Sequence, residues 1–181
     1  MIRWLTVFVG DTTMAFVKHG ALPGSRWPDG RNVDLSAAFY PTHFPRRRLM
    51  ANMTLEAANR ICDAAVAKAT EMGVKVSVSV VDSGTNLVAM KRMDGSIMLG
   101  VEGSRGKAVA SALFGQPSSE LEELADRAVF RALMTQMGGK LIMAIGAIPI
   151  TRDGEVIGAC GVGGASGEED VECAKAGVAA L

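Results

Sequence analysis

Residues 148–163 read Ile-Pro-Ile-Thr-Arg-Asp-Gly-Glu-Val-Ile-Gly-Ala-Cys-Gly-Val-Gly, two β-rich runs on either side of an Asp-Gly pair. An Asp-Gly pair in this setting is the strongest short-range signal of a β-hairpin, because both residues accept the positive φ angles of a tight turn. Pro149 cannot donate a hydrogen bond to a neighbouring strand, which places its strand at an edge of the sheet or puts the proline at the strand's start. The stretch therefore predicts an antiparallel strand pair that leads into a glycine-rich run, residues 161–167.

A second hairpin is predicted upstream. Val76, Val78 and Val80 alternate with two serines, which is the pattern of a half-buried strand. Residues 82–85, Asp-Ser-Gly-Thr, are typical of a turn, and residues 86–93 form the returning strand. Two hairpins imply an antiparallel sheet rather than a doubly wound parallel one.

Helical patterns surround the two hairpins. Thr54 is a good N-cap for a helix that ends at Gly73, and a second helix is predicted from Ile97 to Phe114. A third is expected to begin at Ser118 or Ser119 and to end near Met137, and residues 141–145 are strand-like. The last helix starts at a Ser-x-x-Glu capping box and runs to Leu181. The apolar stripe expected on the third helix comprises Leu121, Leu124, Ala125, Ala128 and Ala132. The predicted fold class is α+β, with helices packed on a central antiparallel sheet.

Composition excludes several classes of protein. Of the 181 residues 49% are hydrophobic, which excludes a chain that is disordered throughout. Lys and Arg together number 19, as do Asp and Glu, so no excess of basic charge points to nucleic acid as a partner. No run of about 18 apolar residues predicts a membrane span. The cysteines are three and lack metal-site spacing, so no metal site is predicted and reduced thiols in the cytoplasm are expected.

The chain changes character at residue 50. Residues 1–49 carry a net charge of +4, from seven Lys/Arg and three Asp/Glu, and residues 50–181 carry −4, from twelve and sixteen. The first part also holds seven of the nine aromatic residues and both histidines. Apart from a short strand at Leu5–Val9, it shows little periodicity, and residues 20–32 are typical of a loop. We expect residues 1–49 to be a poorly ordered extension, or upstream sequence from a start codon placed too early, and residues 50–181 to be the domain.

The candidate chemistry is that of a ligand site, because residues 50–181 contain no histidine for acid–base or nucleophilic catalysis. Backbone N–H groups at a glycine-rich helix start attract a carboxylate or a phosphate, and nearby cationic side chains strengthen that field. A planar apolar body would rest on methionines and an aromatic ring. A tight strand-to-helix turn and a solvated basic helix face explain the same residues without a ligand. The candidate ligand-binding residues are Arg105, Lys107, Phe114, Gly161, Gly163, Gly164 and Ser166.

Three segments in order resemble one known family. Residues 80–95, from Val-Val-Asp-Ser-Gly to Arg-Met-Asp-Gly, resemble the "VVDxGGxLVAxxRMDGA" hairpin of the GlcG/HbpS family, which includes the C-terminal domain of PduO-type proteins. Residues 107–121 resemble its "KAxTAxxFxxPTxxL" segment, and residues 148–170 its "GxPIxxDGxxVGAIGVSGGxxxxD" signature. The resemblance covers residues 52–181 and departs from the family in lacking the histidine ligand of the haem-binding branch.

The resemblance implies a profilin-like domain that forms homo-oligomers. It also implies a small-molecule-binding protein, with haem or a related tetrapyrrole as the ligand. Two alternatives stay open: an enzyme acting on a small carboxylated catabolite, and an oligomeric accessory subunit of a catabolic pathway. Without a histidine, a haem iron here would need a ligand such as a methionine, cysteine or threonine side chain.

Overall fold

The computed structural model describes residues 4–9, 13–18 and 53–181. The chain divides into two units, Met1–Met50 and Ala51–Leu181. In the first, strands β1 (Trp4–Val9) and β2 (Thr13–Lys18) form an antiparallel hairpin, so the strand predicted at Leu5–Val9 is present. The predicted loop at residues 20–32 and both histidines lie outside the described residues. That residues 1–49 are a dispensable extension stays a prediction.

The second unit contains one antiparallel sheet built from both predicted hairpins. Its strands are β3 (Ser77–Asp82), β4 (Leu87–Arg92), β5 (Ala147–Arg152) and β6 (Glu155–Gly163). Their order is β4-β3-β6-β5, so β3 and β6 pair at the centre and β5, which contains Pro149, lies at an edge. In the turn between β5 and β6, φ is 53° at Asp153 and 81° at Gly154, as the Asp-Gly pair predicts.

Helices cover both faces of this sheet. Helices α1 (Leu55–Glu71) and α4 (Gly167–Val178) pack on one face and on each other, and α2 (Leu99–Phe114) packs on the other face. A 3-10 helix (Ser118–Leu124) and α3 (Ala128–Gln136) follow α2. The predicted α+β class is confirmed. Within the part of the chain that the structure describes, no helix combines the length and apolarity needed to cross a membrane.

Strand β3 differs from its predicted half-buried state. Ser77 and Ser79 are fully buried, like Val78 and Val80, which alternate with them. The hydroxyl of Ser77 lies 3.2 Å from that of Ser96, and the hydroxyl of Ser79 lies 2.8 Å from that of Ser104 in α2. The two serines therefore face α2 and the turn before it, and each buried hydroxyl has a partner there. Alternation of polar and apolar residues in β3 does not indicate that the polar residues are exposed to water.

The predicted single helix from residue 118 to residue 137 is wrong. The Ser118 hydroxyl is buried and accepts a hydrogen bond from the Ala147 amide at 2.8 Å, so it ties the segment to β5 instead of capping an α-helix. Extended backbone at Arg127, with φ −73° and ψ 135°, then separates the 3-10 helix from α3. Of the predicted stripe, Leu121 is buried, but Ala128 and Ala132 are exposed.

The strand-like segment at residues 141–145 forms no strand. Leu141 and Met143 are nevertheless buried against α2, and the Ile142 amide donates to the Gly106 carbonyl at 3.1 Å. The apolar character of the segment therefore reflects packing beneath a helix and not membership of the sheet.

The outer side of β5 is short of hydrogen-bond donors. The Val162 amide donates to the Gly146 carbonyl at 2.8 Å, so in the alternating antiparallel pattern residues 147 and 149 point their backbone groups away from β6. The N–H of Ala147 is bonded to Ser118, and Pro149 has none. The first half of this edge therefore offers no free donor.

Candidate functional site

The glycines of the candidate site lie against α2. A Cβ atom on Gly161 would collide with the Ser104 carbonyl oxygen and would lie 2.7 Å from the Ala108 nitrogen. A Cβ on Gly163 would lie 3.0 Å from both the Gly100 oxygen and the Ser104 nitrogen. These two glycines therefore let strand β6 and helix α2 approach within backbone contact. Gly164, with φ 134°, makes the turn that follows.

Lys107 extends from α2 toward the start of α4, where its ammonium group is buried. Its Nζ donates to Oδ2 of Asp170 at 2.7 Å and to the Ile145 carbonyl at 3.0 Å. The other carboxylate oxygen of Asp170 accepts from the Ala165 amide at 3.2 Å. Burial raises the pKa of the Asp170 carboxyl above its usual range, and the hydrogen bond from Lys107 partly offsets this. The cation therefore neutralises a carboxylate of the protein itself.

Arg105 points to a different part of the surface, because two residues along an α-helix turn the side chain by about 200°. Its Nε atom is shielded from water and has no hydrogen-bond partner among residues 53–181. The side chain lines a cleft of about 70 Å³ together with Glu102, Gly106, Gly138, Gly139 and Lys140. We call this space, between α2 and residues 138–140, the Arg105 cleft.

Phe114 and Ser166 occupy two further places. Phe114 ends α2, is 36% exposed, and packs against Phe130 of α3 with ring centroids 5.9 Å apart. Ser166 is the N-cap of α4, where its hydroxyl and backbone N–H both bond to Glu169, which confirms the predicted capping box. The structure brings Lys107 and the glycines together near the start of α4, and it places Arg105 and Phe114 elsewhere along α2. A ligand at these seven residues stays a prediction.

Comparison with known proteins decides the family. A family model described as "Haem degrading protein HbpS-like" matches residues 53–179. The chain belongs to the HbpS-like family. It is 34% identical over 122 residues to an uncharacterised 15.0 kDa protein from the dhaT-dhaS intergenic region of Citrobacter freundii, which covers 67% of this chain and 86% of that protein.

Two solved structures of HbpS-like proteins share the fold. The structure of PduOC in complex with haem has a TM-score of 0.66 and 27% identity, over 72% of this chain and 95% of that one. A double mutant of HbpS from Streptomyces reticuli has a TM-score of 0.65 and 32% identity, over 73% and 88%. These matches confirm the GlcG/HbpS resemblance on which the sequence analysis relied.

Haem is the group that an HbpS-like fold implies, and the donors present decide how it would fit. The described residues include no histidine, and the thiols of Cys62, Cys160 and Cys173 are fully buried. Of the eight methionines from residue 53 onward, Met98 alone is exposed, at 84%. Ligation by imidazole is therefore not available in the part of the chain that the structure describes, and the accessible thioether there is that of Met98. No group of three or more His, Cys, Asp or Glu side chains within that part could hold a metal ion.

Sequence reasoning missed the surface around Met98. Ile97 and Leu99 flank it and are 56% and 78% exposed. A signal was available, since successive residues of a helix point about 100° apart and three adjacent apolar residues cannot all face one core. Lys140 in the Arg105 cleft was also missed, and nothing in its local sequence marks it.

Proposed function

We propose that this chain is a small-molecule-binding protein whose ligand is haem or a related tetrapyrrole, held at the exposed beginning of α2. The observation that carries the proposal is the run Ile97–Met98–Leu99, in which two branched apolar side chains and a thioether are all exposed. Adjacent exposed apolar side chains often mark a binding surface. The similar structure of PduOC, solved with haem, supports the choice of ligand.

The spacing of groups along α2 suits a flat ligand with an anionic edge. Met98 and Arg105 are seven residues apart, which is about two helical turns, so their side chains share one face about 10 Å apart. We expect the apolar ring to contact Ile97 and Leu99 and its carboxylate arms to extend toward Arg105.

Each residue of this face has a distinct role in the proposal. Met98 would hold the ligand's metal through its sulfur, and Ile97 and Leu99 would exclude water from one side of the ring. When bound, a haem iron supplies a redox-active centre with a coordination position for that sulfur. Arg105 would supply charge-assisted hydrogen bonds to a carboxylate.

The proposal is tested by adding hemin to the full chain and following the Soret band. We expect saturable binding with a shifted band, and Met98→Leu should weaken binding several-fold and move the band, because it removes the sulfur and keeps the apolar volume. Met72→Leu is the matched control, because Met72 packs against the core on the opposite face of the sheet.

Two outcomes count against the proposal in different ways. No saturable change in the hemin spectrum would overturn tetrapyrrole binding. If Met98→Leu changes neither the affinity for hemin nor its spectrum, the ligand does not bind at the start of α2. A Soret band that forms and then decays would add ligand breakdown to binding.

We also propose that the domain forms homo-oligomers in the cytoplasm. The large hydrophobic side chains that are exposed among the described residues include three consecutive ones, Ile97, Met98 and Leu99, and an exposed apolar patch favours association. The three free cysteines are typical of a reducing compartment. Light scattering at micromolar concentration should give a mass above that of one chain, and a monomeric mass would contradict self-association.

A further inference from the structure

Two cationic side chains in the Arg105 cleft have no ion-pair partner among residues 53–181. Arg105 and Lys140 line the cleft with one acidic residue, Glu102, and no salt bridge joins any of them to the described residues. We propose that the Arg105 cleft is a carboxylate-binding site in its own right. It takes either a small free carboxylate or the carboxylate arm of a larger ligand.

Arg105 supplies the first reason. A shielded N–H without a partner has lost its bond to water without replacing it, which is costly for a charged donor. The terminal N–H groups of the guanidinium are not shielded in this way and form no hydrogen bond with residues 53–181, so they are the donors that a carboxylate in the cleft would meet. The two terminal nitrogens offer a pair of N–H groups, and that fork matches the two oxygens of a carboxylate.

The walls of the cleft supply the second reason. Gly138 and Gly139 have positive φ angles of 63° and 76°, and neither has an atom within 4 Å of the position that a Cβ would take, so the entrance is open. Their amides already donate to the Thr135 and Met134 carbonyls, so recognition depends on the side chains. A volume of about 70 Å³ admits a carboxylate and excludes a ring system, because pockets for drug-sized ligands start at roughly 300 Å³.

Glu102 sets the charge that the site prefers. It is exposed and lies one helical turn before Arg105, so the lining carries two positive charges and one negative charge. A monoanion matches this net charge, and a dianion is repelled by the glutamate. Removing the charge of Glu102 should therefore strengthen binding, whereas removing either cation should weaken it.

The experiment is an NMR titration of the amide signals of the ¹⁵N-labelled full chain with sodium acetate at constant ionic strength. We expect saturable shifts at Gly106, Gly138, Gly139 and Lys140. Arg105→Gln should weaken acetate binding by about tenfold or more, the effect of one lost charge-assisted bond. Arg105→Lys keeps the charge but lacks the guanidinium's pair of terminal N–H groups, so it should also weaken acetate binding, and Glu102→Gln should tighten it.

Lys175→Gln is the matched control, because Lys175 is an exposed cation on α4 that pairs with Glu172. Circular dichroism of each variant establishes that it is folded.

Amide shifts that do not saturate, or an acetate affinity that Arg105→Lys leaves unchanged, would contradict the proposed site. Either result would show that acetate is attracted only by the general positive charge of the surface. A parallel hemin titration distinguishes the sources. If the cleft binds a free carboxylate, Arg105→Gln should weaken the binding of acetate and leave the binding of hemin unchanged. If the cleft binds the carboxylate arm of a larger ligand, Arg105→Gln should weaken the binding of both acetate and hemin. Since acetate binding requires no tetrapyrrole, it also survives failure of the haem proposal.

Discussion

The ammonium nitrogen of Lys107 lies 2.7 Å from Oδ2 of Asp170, and the two side chains are only 9% and 4% exposed. The pair joins α2 to α4, which pack on opposite faces of the sheet. Lys107 also donates to the Ile145 carbonyl, so three separate segments meet at one cation. A buried pair of this kind contributes little compared with an apolar pair, but breaking it leaves an uncompensated charge.

Replacing one partner of this pair should therefore lower the stability of the fold more than replacing both. Lys107→Met should lower the free energy of unfolding by about 3–5 kcal/mol, because the Asp170 carboxylate stays buried without its cation. The double variant Lys107→Met/Asp170→Leu should recover a large part of that loss. Chemical denaturation measures both values, and a single variant no less stable than the double would contradict the argument.

The close approach of β6 to α2 predicts a contrast between two glycines. Gly161→Ala should destabilise the fold by about 1–3 kcal/mol or more, since its Cβ meets backbone atoms that cannot move aside. Gly103 lies within α2 and has open space where a Cβ would be, so Gly103→Ala should be neutral or should stabilise the helix by up to about 1 kcal/mol. Thermal melts of the two variants test this, and equal effects would contradict it.

The capping box of α4 predicts a pH dependence. The Ser166 backbone N–H and hydroxyl hold the pKa of the Glu169 carboxyl below its usual range. A carboxyl whose pKa is lower in the folded state stabilises the fold above its unfolded pKa, near 4.3, and this stabilisation is lost as the pH falls through the folded value. The stability difference between the parent and Glu169→Gln should thus be constant above about pH 5 and should shrink on acidification.

Urea denaturation from pH 6 to pH 3 measures this difference. Glu168→Gln is the control, because the side chain of Glu168 is exposed and forms no hydrogen bond or ion pair with residues 53–181. A Glu169→Gln effect that does not change with pH would contradict the role of the carboxylate.

The three thiols should be unreactive while the protein is folded. Burial raises the pKa of Cys62 and of Cys173 to about 11 each, and it raises that of Cys160 further. Since only the thiolate reacts, a disulfide reagent at pH 8 should label the native protein slowly and all three cysteines at once after unfolding in guanidinium. Rapid labelling of one native cysteine would contradict this.

Residues 1–49 should be dispensable for the stability of the domain. Charge, aromatic content and periodicity all change near residue 50. A chain that starts at Met50 should keep the thermal midpoint of the full chain. A drop of more than about 5 °C, on the order of 1–2 kcal/mol at this size, would contradict the prediction.

Local signals predicted the elements whose ends are fixed by a turn or a cap. The Asp153-Gly154 turn, the Thr54 N-cap and the Ser166–Glu169 box each depend on residues within a few positions, so the sequence identified them. Ser118 and residues 141–145 were misassigned because distant partners decide their conformation. Ser118 bonds to Ala147, and Ile142 bonds to Gly106, which no local pattern contains.

The candidate site shows the same division. The glycine run does lie against α2, where the absence of side chains at Gly161 and Gly163 permits backbone contact. The direction of Lys107 and Arg105 did not follow from the sequence, because two cations two positions apart on a helix must diverge, and only the packed structure supplies Asp170 for one and an open cleft for the other. Sequence reasoning also did not identify Asp170, which follows the capping box and is the buried partner of Lys107.

The donor-poor edge of β5 has a consequence for how copies of this chain could polymerise. Open-ended growth by strand addition requires that each new copy present one sheet edge to a different edge of the last. The Ala147 amide is bonded to Ser118 and Pro149 has no N–H, so β5 offers few donors to which an added strand could bond. The edge of this sheet that remains available for strand addition is therefore β4. Two copies that paired β4 with β4 would be related by a two-fold axis, and the other edge of this four-stranded sheet, β5, has no free donor in its first half. The Ser118 hydroxyl and the Pro149 ring thus disfavour open-ended strand addition at the β5 edge.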